Sequence, residues 1–232
     1  MRNKLNNPLD RSFLSSNAVE ELRRRIILGE IKPMEKIVET QLSADLNLSR
    51  GPIRNALFLL EKEGLVQFLS NGRTESLGFS PDDASKLYET RMYLETKAVE
   101  LICARDDRSV VPLELLLEQM MQKVNDVEKF TRLDIRFHYE LVHLSGNKFL
   151  ASCWSTLRPI IETILLITNT HIREVGEGWD KAYVFDLHAK IIEALRQGDT
   201  EKSVAYMKDH LASGVALMTD KLRTILERKN AE

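Results

Sequence analysis

Cysteine is scarce in this sequence of 232 residues, which contains only Cys103 and Cys153. Two isolated cysteines provide no framework of disulfide bridges, and they lack the paired spacing of a cysteine zinc site. We therefore expect both to be packing residues in a protein of the reducing cytosol, and the expected location is cytoplasmic.

Long apolar runs are also missing. No run reaches the length of a membrane span, and the first residues, MRNKLNNPLDRS, lack the apolar core of a signal peptide. Hydrophobic residues make up 43% of the chain and charged residues 29%, a composition typical of a soluble globular protein. This length fits one or two domains.

The net charge of −2 shows no strong excess of either sign. Residues 1–80 contain 12 Lys+Arg and 10 Asp+Glu, a net of +2, which leaves −4 for residues 81–232. This weak asymmetry allows a DNA-binding N-terminal part and an acidic C-terminal part, but does not establish them.

The stretch 38–66 has the pattern of two short helices with a tight joint. The first is predicted over Glu39–Leu46, with Asn47-Leu48 as the joint. The second follows Ser49, the expected N-cap, and ends at Gly64, a residue suited to the position after a helix. Its inward residues are predicted to be Ile53, Ala56, Leu57 and Leu60.

The second helix has a basic N-terminal end, where Arg50, Gly51, Arg54 and Asn55 are expected to be exposed. Arginine binds guanine edges and phosphates, glycine allows close backbone approach, and the helix terminus adds positive potential. This is the layout of a helix-turn-helix. Spacing alone also allows an ordinary helix corner with solvated arginines.

A hairpin is predicted directly after the second helix. Leu65–Leu69 and Thr74–Phe79 are runs of strand type, joined by a turn that contains Asn71-Gly72, the strongest hairpin signal. Arg73 at the tip is placed to reach the DNA backbone or minor groove. A helix-turn-helix followed by such a wing is more specific than either part, and favours DNA binding.

Residues 1–14 are predicted to form a flexible arm, followed by a winged domain over residues 15–79. Val19, Leu22 and Ile26 mark its first helix, which is expected to end at Gly29. The same helix contains Arg23-Arg24-Arg25, for which a solvated face is favoured over direct phosphate contact.

The second domain is predicted over residues 80–232, opening with Ser80-Pro81-Asp82-Asp83 as the start of a helix. No strand-type run follows the wing. The fold class is therefore mainly α: a winged helix-turn-helix followed by an all-α antiparallel bundle with ligand sites between helices. Helical periods are expected at about 81–104, 110–124, 126–145, 148–172, 180–197 and 200–229.

Arg91 lies on the apolar stripe of the first bundle helix, between Leu87 and Leu94. A charge on a core-facing stripe must be paired or must meet a bound anion. A structural pair with Glu95 or Glu162 and a role in ligand binding both stay open from the spacing.

Four residues of the bundle suggest a metal site. Asp134 and His138 share one helix face, and His188 and His210 border apolar stripes on later helices. One carboxylate and three imidazoles would bind zinc, nickel or manganese if they converged. A lone inward histidine is more often a satisfied core residue. The histidines excluded by face or by position near a helix end are His143 and His171.

The N-terminal motifs resemble the DNA-binding domain of the GntR family of transcription regulators. The resemblance covers Ile27–Pro33, Leu42–Leu46, Leu48–Leu57 and Glu63–Val66, and its most specific piece is Ser-Arg-x-Pro-x-Arg-x-Ala-Leu. It implies that operator DNA is contacted by Ser49, Arg50, Gly51, Arg54, Asn55, Thr40 and Arg73.

This sequence departs from the usual family pattern at four positions. Met34 stands where Gly is usual, Thr40 where many members have a DNA-contacting Arg, Gly51 where Thr is usual and Asn55 where Glu is usual. These changes bear on the operator sequence rather than on the fold.

The C-terminal part resembles the FCD effector domain of the FadR subfamily over most of residues 82–226. The matching pieces are Arg91–Glu95, Asp134-x3-His138, Ser145-Gly146-Asn147, His188 and His210. The resemblance implies a metal held by Asp134, His138, His188 and His210, and a small carboxylate that bridges the metal and Arg91. Weaker effector-binding candidates are Arg158 and Asn169. The short stretch between the first two bundle helices resembles the six-helix VanR-type branch.

These features predict a homodimeric repressor of a near-palindromic double-stranded operator, controlled by a small carboxylate. A metal-dependent enzyme is the competing class, although no second inward carboxylate or nucleophile stands out. A direct metal-ion sensor is a third hypothesis.

Overall fold

The computed structural model describes residues 8–176 and 181–231. The chain divides into two compact units, one ending at Ser80 and the other beginning at Pro81. The predicted fold class is confirmed: a small winged helical unit precedes a unit whose described residues form helices without strands.

The N-terminal unit contains three helices and a three-stranded antiparallel sheet in the part of the chain that is described. The order of the strands is β1-β3-β2, with Lys36 opposite Glu75 and Val66 opposite Ser76. The bounds are α1 Pro8–Ile27, β1 Lys36–Ile37, α2 Glu39–Asp45, α3 Arg50–Lys62, β2 Val66–Phe68 and β3 Thr74–Ser76. The sequence did not predict β1, because two residues are too short to show an alternating pattern.

The predicted arm over residues 1–14 needs correction, because α1 already begins at Pro8. Residues 1–7 lie outside the described chain. A helix can begin at a proline, since the missing N–H falls where a helix has no internal partner for it.

Arg23 is buried rather than solvated, with 3% of its surface exposed. Its Nε and Nη2 atoms each donate to a carboxylate oxygen of Glu63 at 2.7 Å. This fork joins α1 to the C-terminal end of α3, so it has a structural role. The neighbouring Arg24 and Arg25 remain near the surface and pair with Glu21.

Helix α3 buries the predicted residues Ile53, Ala56, Leu57 and Leu60. Its C-terminal end is closed by hydrogen bonds from Leu65 N to Leu60 O and from Gly64 N to Glu61 O, with Gly64 at φ +72°. Ser49 occupies the predicted N-cap position, but its side chain makes no capping hydrogen bond. The first turn of α3 therefore leaves backbone N–H groups available to an anion.

The C-terminal unit contains six helices among its described residues, the number predicted for the VanR-type branch; the branch itself stays a prediction. Helix α4 packs against α9, α6 against α7, and α8 against α9. The bounds are α4 Pro81–Cys103, α5 Val111–Gln122, α6 Val127–Leu144, α7 Lys148–Glu174, α8 Lys181–Gln197 and α9 Thr200–Ala231.

Two expectations about apolar and sulfur-containing residues differ from the structure. Cys103 is buried, but Cys153 is exposed on α7, so only the first is a packing residue. Helix α7 also passes the length and composition criteria for a membrane span, with 28% of its apolar window buried. That is a weak indication, because core helices of soluble proteins meet the same criteria.

Candidate functional site

Three helices of the bundle bring Asp134, His138, His188 and His210 together. One ligand atom from each lies within 4.8 Å of all the others. His138 Nε2 is 3.0 Å from His210 Nε2, and His188 Nε2 is 3.2 Å from Asp134 Oδ1. The i, i+4 spacing on α6 places Asp134 and His138 on one face. Helices α8 and α9 supply the other two, a convergence that spacing left open.

The hydrogen-bond partners of the Nδ1 atoms determine which tautomer two of the histidines adopt. His138 Nδ1 lies 2.6 Å from Glu95 Oε2, and His188 Nδ1 lies 2.8 Å from Val184 O. Both partners are acceptors, so each Nδ1 carries the proton and each Nε2 presents a lone pair to the cluster. Neutral imidazoles with inward lone pairs are the form in which histidine binds a metal.

Burial favours the neutral form of His138 and His210. It lowers the pKa of His138 although the Glu95 carboxylate opposes the shift. Burial, together with the neighbouring His188 and His138, lowers the pKa of His210 well below its ordinary value. Uncharged rings at neutral pH remove the proton competition that would weaken metal binding.

The donor set fits a transition metal. His188 Nε2 is buried and makes no hydrogen bond, because the Asp134 Oδ1 atom 3.2 Å away is an acceptor and cannot donate to its lone pair. An unsatisfied buried acceptor is costly, and coordination to a cation would satisfy it. Three imidazole nitrogens and one carboxylate oxygen suit zinc, nickel or manganese.

Glu95 connects the cluster to Arg91. Its Oε1 accepts from Arg91 Nε at 2.6 Å and from Trp154 Nε1 at 2.9 Å, while its Oε2 faces His138. Burial alone would raise the pKa of Glu95, but Arg91 and His138 lower it well below its ordinary value. The sequence predicted the Arg91 pair as one alternative. The contacts of Glu95 with His138 and Trp154 were missed, since they depend on how three helices pack.

A cavity of about 210 Å³ adjoins the cluster and is lined in part by Arg91, Asp134, Asn169 and His210. Arg91 pairs with Glu95, yet its Nη2 atom is buried and has no hydrogen-bond partner. Asn169 Nδ2 donates to Thr131 Oγ1 at 3.0 Å. Arg91 therefore combines both roles that the sequence left open: it forms a structural pair and presents an unused donor.

Arg158 does not line this cavity. Its side chain is 47% exposed, with Nε 3.9 Å from Glu162 and the guanidinium 5.8 Å from the centre of the Tyr139 ring. The structure thus separates Arg158 from Arg91 and Asn169, the other two predicted effector-binding residues.

The predicted DNA-contacting residues lie at the surface of the N-terminal unit. Arg54 is 62% exposed and donates from Nε and Nη2 to the Glu39 carboxylate at 3.1 Å. Arg73 is half exposed at the hairpin tip, 3.3 Å from Glu75. The remaining exposed members are Thr40, Ser49, Arg50, Gly51 and Asn55. Arg54 and Arg73 each have a carboxylate partner that DNA phosphates could replace.

A winged helix-turn-helix with an exposed basic helix end, linked to a helical bundle with an enclosed polar site, defines the class of DNA-binding transcription regulators. The chain matches the family of bacterial regulatory proteins called the gntR family over residues 14–75, and the FCD domain over residues 86–213. It belongs to the GntR family of transcription regulators, with a C-terminal FCD domain.

Proteins with similar sequences support the assignment to this family. The chain is 28% identical to the gluconate operon transcriptional repressor of Bacillus licheniformis over 197 residues, covering 83% of this chain and 80% of that protein. It is 28% identical to the HTH-type transcriptional repressor NanR of Salmonella newport (strain SL254) over 228 residues, covering 89% and 85%. Both proteins are transcriptional repressors by name.

Solved structures show the same fold. A regulator described as Lar, which controls expression of the Listeria monocytogenes agr system, superposes with a TM-score of 0.68 at 18% identity and covers 96% of this chain and 99% of its own. Escherichia coli McbR/YncC gives a TM-score of 0.66 at 18% identity, covering 90% and 98%.

Proposed function

We propose that the protein is a homodimeric cytoplasmic repressor whose affinity for a near-palindromic operator is controlled by a small organic acid bound at a metal site in the bundle. The observation that carries this proposal is that Arg91, whose buried Nη2 has no hydrogen-bond partner, lines the same cavity as Asp134 and His210. An unpaired guanidinium N–H beside a cluster of metal-type donors is suited to a carboxylate.

Asp134, His138, His188 and His210 would hold a divalent transition metal such as zinc, nickel or manganese. When bound, such an ion supplies positive charge that attracts a carboxylate oxygen of the effector. Arg91 Nη2 donates a hydrogen bond to the same carboxylate, while Glu95 holds the guanidinium through Nε. Asn169 lines the cavity and is available for a further polar contact.

DNA recognition is assigned to the exposed end of α3, with Arg50 and Arg54 as the main contacts, and to Arg73 on the wing. Ser49, Gly51, Asn55 and Thr40 complete the proposed surface. Two copies in a symmetric dimer would place two such helices in successive major grooves, which explains the expected near-palindrome.

Helix α4 offers a route between effector and DNA. It begins at Pro81, directly after the N-terminal unit, and contributes Arg91 and Glu95 to the site about three to four turns later. We expect α4 to have two orientations, one that favours operator binding and one that does not. The effector changes operator affinity only as far as it binds one orientation more tightly than the other.

The test is operator binding by the full-length, metal-loaded dimer. Fragments of its own genome would be selected for binding, and fluorescence anisotropy would then measure affinity with and without a panel of small carboxylates. We expect at least one fragment to bind better than random duplex, and an acid to weaken that binding. A dimer with no preference for any fragment, with or without acids, contradicts the proposal.

Arg91→Lys tests the role of Nη2, because lysine keeps a positive charge beside Glu95 but has no atom in the place of Nη2. We expect the variant to bind the operator and to lose the response to acid. Arg158→Ala provides the comparison: its response stays intact if the cavity is the effector site, and is lost if Arg158 belongs to that site.

A direct metal-ion sensor is the second candidate, favoured by the four donor atoms that lie within 4.8 Å of one another. Titration of the metal against operator binding without any organic acid separates the two. A full change in affinity with metal alone supports the sensor, and a change that needs acid supports the effector mechanism.

A further inference from the structure

The cavity beside the metal-type cluster extends away from it along α9. Its lining begins at His210 and continues to Met218, eight residues or about 12 Å along the helix axis. Arg91 and Asp134 belong to the polar end with His210. A ligand whose carboxylate occupies this end must therefore place the rest of its body against the lining beyond.

The lining beyond the polar end is mainly apolar. It includes Phe130, Leu165, Ile172, Leu187, Leu211 and Met218, side chains from four different helices. Because these apolar side chains approach from several directions, the ligand that complements this part of the cavity has an apolar body.

Three of the polar side chains among them already donate hydrogen bonds within the protein, and the other two, Tyr88 and Tyr183, have one hydroxyl group each. Thr168 Oγ1 donates to Ile164 O at 2.9 Å, and Ser213 Oγ donates to His210 O at 2.9 Å. Asn169 uses one of its amide hydrogens on Thr131. A ligand with several hydroxyl groups would find few free partners here, and each buried hydroxyl without a partner is unfavourable.

We infer that the effector is a small monocarboxylic acid with a compact apolar body, not a polyhydroxylated acid; this inference rests on the proposed function. The volume of about 210 Å³ exceeds that of an engineered apolar cavity of about 150 Å³ that binds benzene. It accommodates a body of the size of hexanoate or benzoate.

Calorimetric titration of the metal-loaded full-length protein with acetate, butanoate, hexanoate and gluconate tests the inference. Acetate has almost no apolar body, so its affinity measures the contribution of the carboxylate group alone. We expect affinity to rise about threefold to fourfold for each added methylene, the factor that burial of one methylene group gives. Gluconate should bind at least tenfold more weakly than hexanoate.

One outcome would contradict the apolar-body inference alone, and another would contradict the proposed effector site as well. Gluconate binding as tightly as hexanoate, with acetate also bound, overturns the apolar-body inference and leaves the proposed function standing. No binding of any acid, acetate included, at millimolar concentration overturns the proposed effector site and the inference with it.

Gly214 provides a steric test of the same claim. A Cβ atom at this position would meet Tyr88 Cε1 at 3.7 Å, an ordinary contact, so a side chain fits locally but occupies the cavity. We expect Gly214→Leu to lower the ratio of hexanoate to acetate affinity by tenfold or more, a roughly estimated factor for the lost apolar contacts. Ala216→Leu, at an exposed position of α9 outside the lining, is the matched control and should keep the wild-type ratio. An unchanged ratio in both variants overturns the inference.

Discussion

The Oε2 atom of Glu95 lies 2.6 Å from the Nδ1 atom of His138, and both side chains are completely buried. We expect Glu95→Gln to lower metal affinity by about 10-fold to 100-fold, the usual cost of removing the partner that orients a metal-binding histidine. Competition with a chelator measures this affinity. Nitrogen chemical shifts of the ring should show a smaller fraction of the Nδ1–H tautomer, which distinguishes loss of orientation from general loosening.

Glu162→Gln is the control for that experiment. Glu162 is a partly buried carboxylate that accepts from Arg132 at 2.6 Å, and it is not among the contacts of His138. Its replacement should leave metal affinity within about twofold of wild type, since a pair near the surface contributes little. Equal losses in the two variants would contradict a specific role for Glu95.

Stability of the metal-free protein should decrease as the pH falls. Burial lowers the pKa values of His138 and His210 from the ordinary 6.5, so below pH 6.5 the unfolded chain binds protons that the folded chain does not. Each group then removes up to about 1.4 kcal/mol of stability per pH unit. Glu95, whose pKa is also lowered, acts in the same direction below its ordinary 4.5.

Thermal unfolding in the presence of a chelator measures this dependence. The midpoint should decrease as the pH is lowered from 7.5 to 5.5, and His210→Gln should reduce the slope because it removes one of the two histidines whose pKa is lowered. A midpoint that stays constant over this range would contradict burial of neutral histidines in the folded protein.

Arg54→Ala should weaken operator binding without unfolding the N-terminal unit. Arg54 is 62% exposed, and its ion pair with Glu39 lies at the surface, so little packing is lost. We expect the dissociation constant for the operator to rise by about tenfold or more, as for loss of one arginine contact to a base or phosphate. Lys62→Ala, exposed at the other end of α3, should bind like wild type. Equal behaviour of the two variants would mean that α3 is not the recognition helix.

Met34→Gly should stabilise the protein. Met34 has φ +64° and is 69% exposed, so its side chain contributes strain without much burial. A left-handed conformation costs a residue with a Cβ roughly 1–2 kcal/mol, of which the greater freedom of glycine in the unfolded chain offsets about half.

Urea unfolding should therefore show a gain of about 0.5–1 kcal/mol for Met34→Gly. Its hydrogen bond from Met34 N to Ser76 O, 2.8 Å, involves only the backbone and survives the change. Met34→Ala keeps a Cβ and should show no such gain. A similar gain in the alanine variant would mean that relief of the left-handed backbone conformation is not the cause of the stabilisation.

Helix bounds were predictable because the apolar residues that establish them are close in the chain. Leu42 and the four inward residues of α3 repeat at helical spacing, and all are buried as expected. Gly64 closes α3 for a reason equally local, since a left-handed residue after a helix favours glycine.

Features that depend on pairing across the chain were predicted poorly. Arg23 was expected to be solvated because its helix carries three arginines in a row, yet Glu63, 40 residues away, buries it. Strand β1 forms only because β3 offers it a free edge. Neither partner can be identified from the local sequence pattern.

The sequence by itself determined the order of the elements, the inward position of each candidate ligand on its own helix, and the two families of domain, because periodicity and motif spacing are properties of neighbouring residues. Only the tertiary structure decided that Asp134, His138, His188 and His210 meet, that Glu95 orients His138, and that Arg91, which keeps one unpaired nitrogen, lines a cavity with an apolar far end. The physical reason is that convergence depends on how helices pack, and packing is determined by side chains that are distant in the chain.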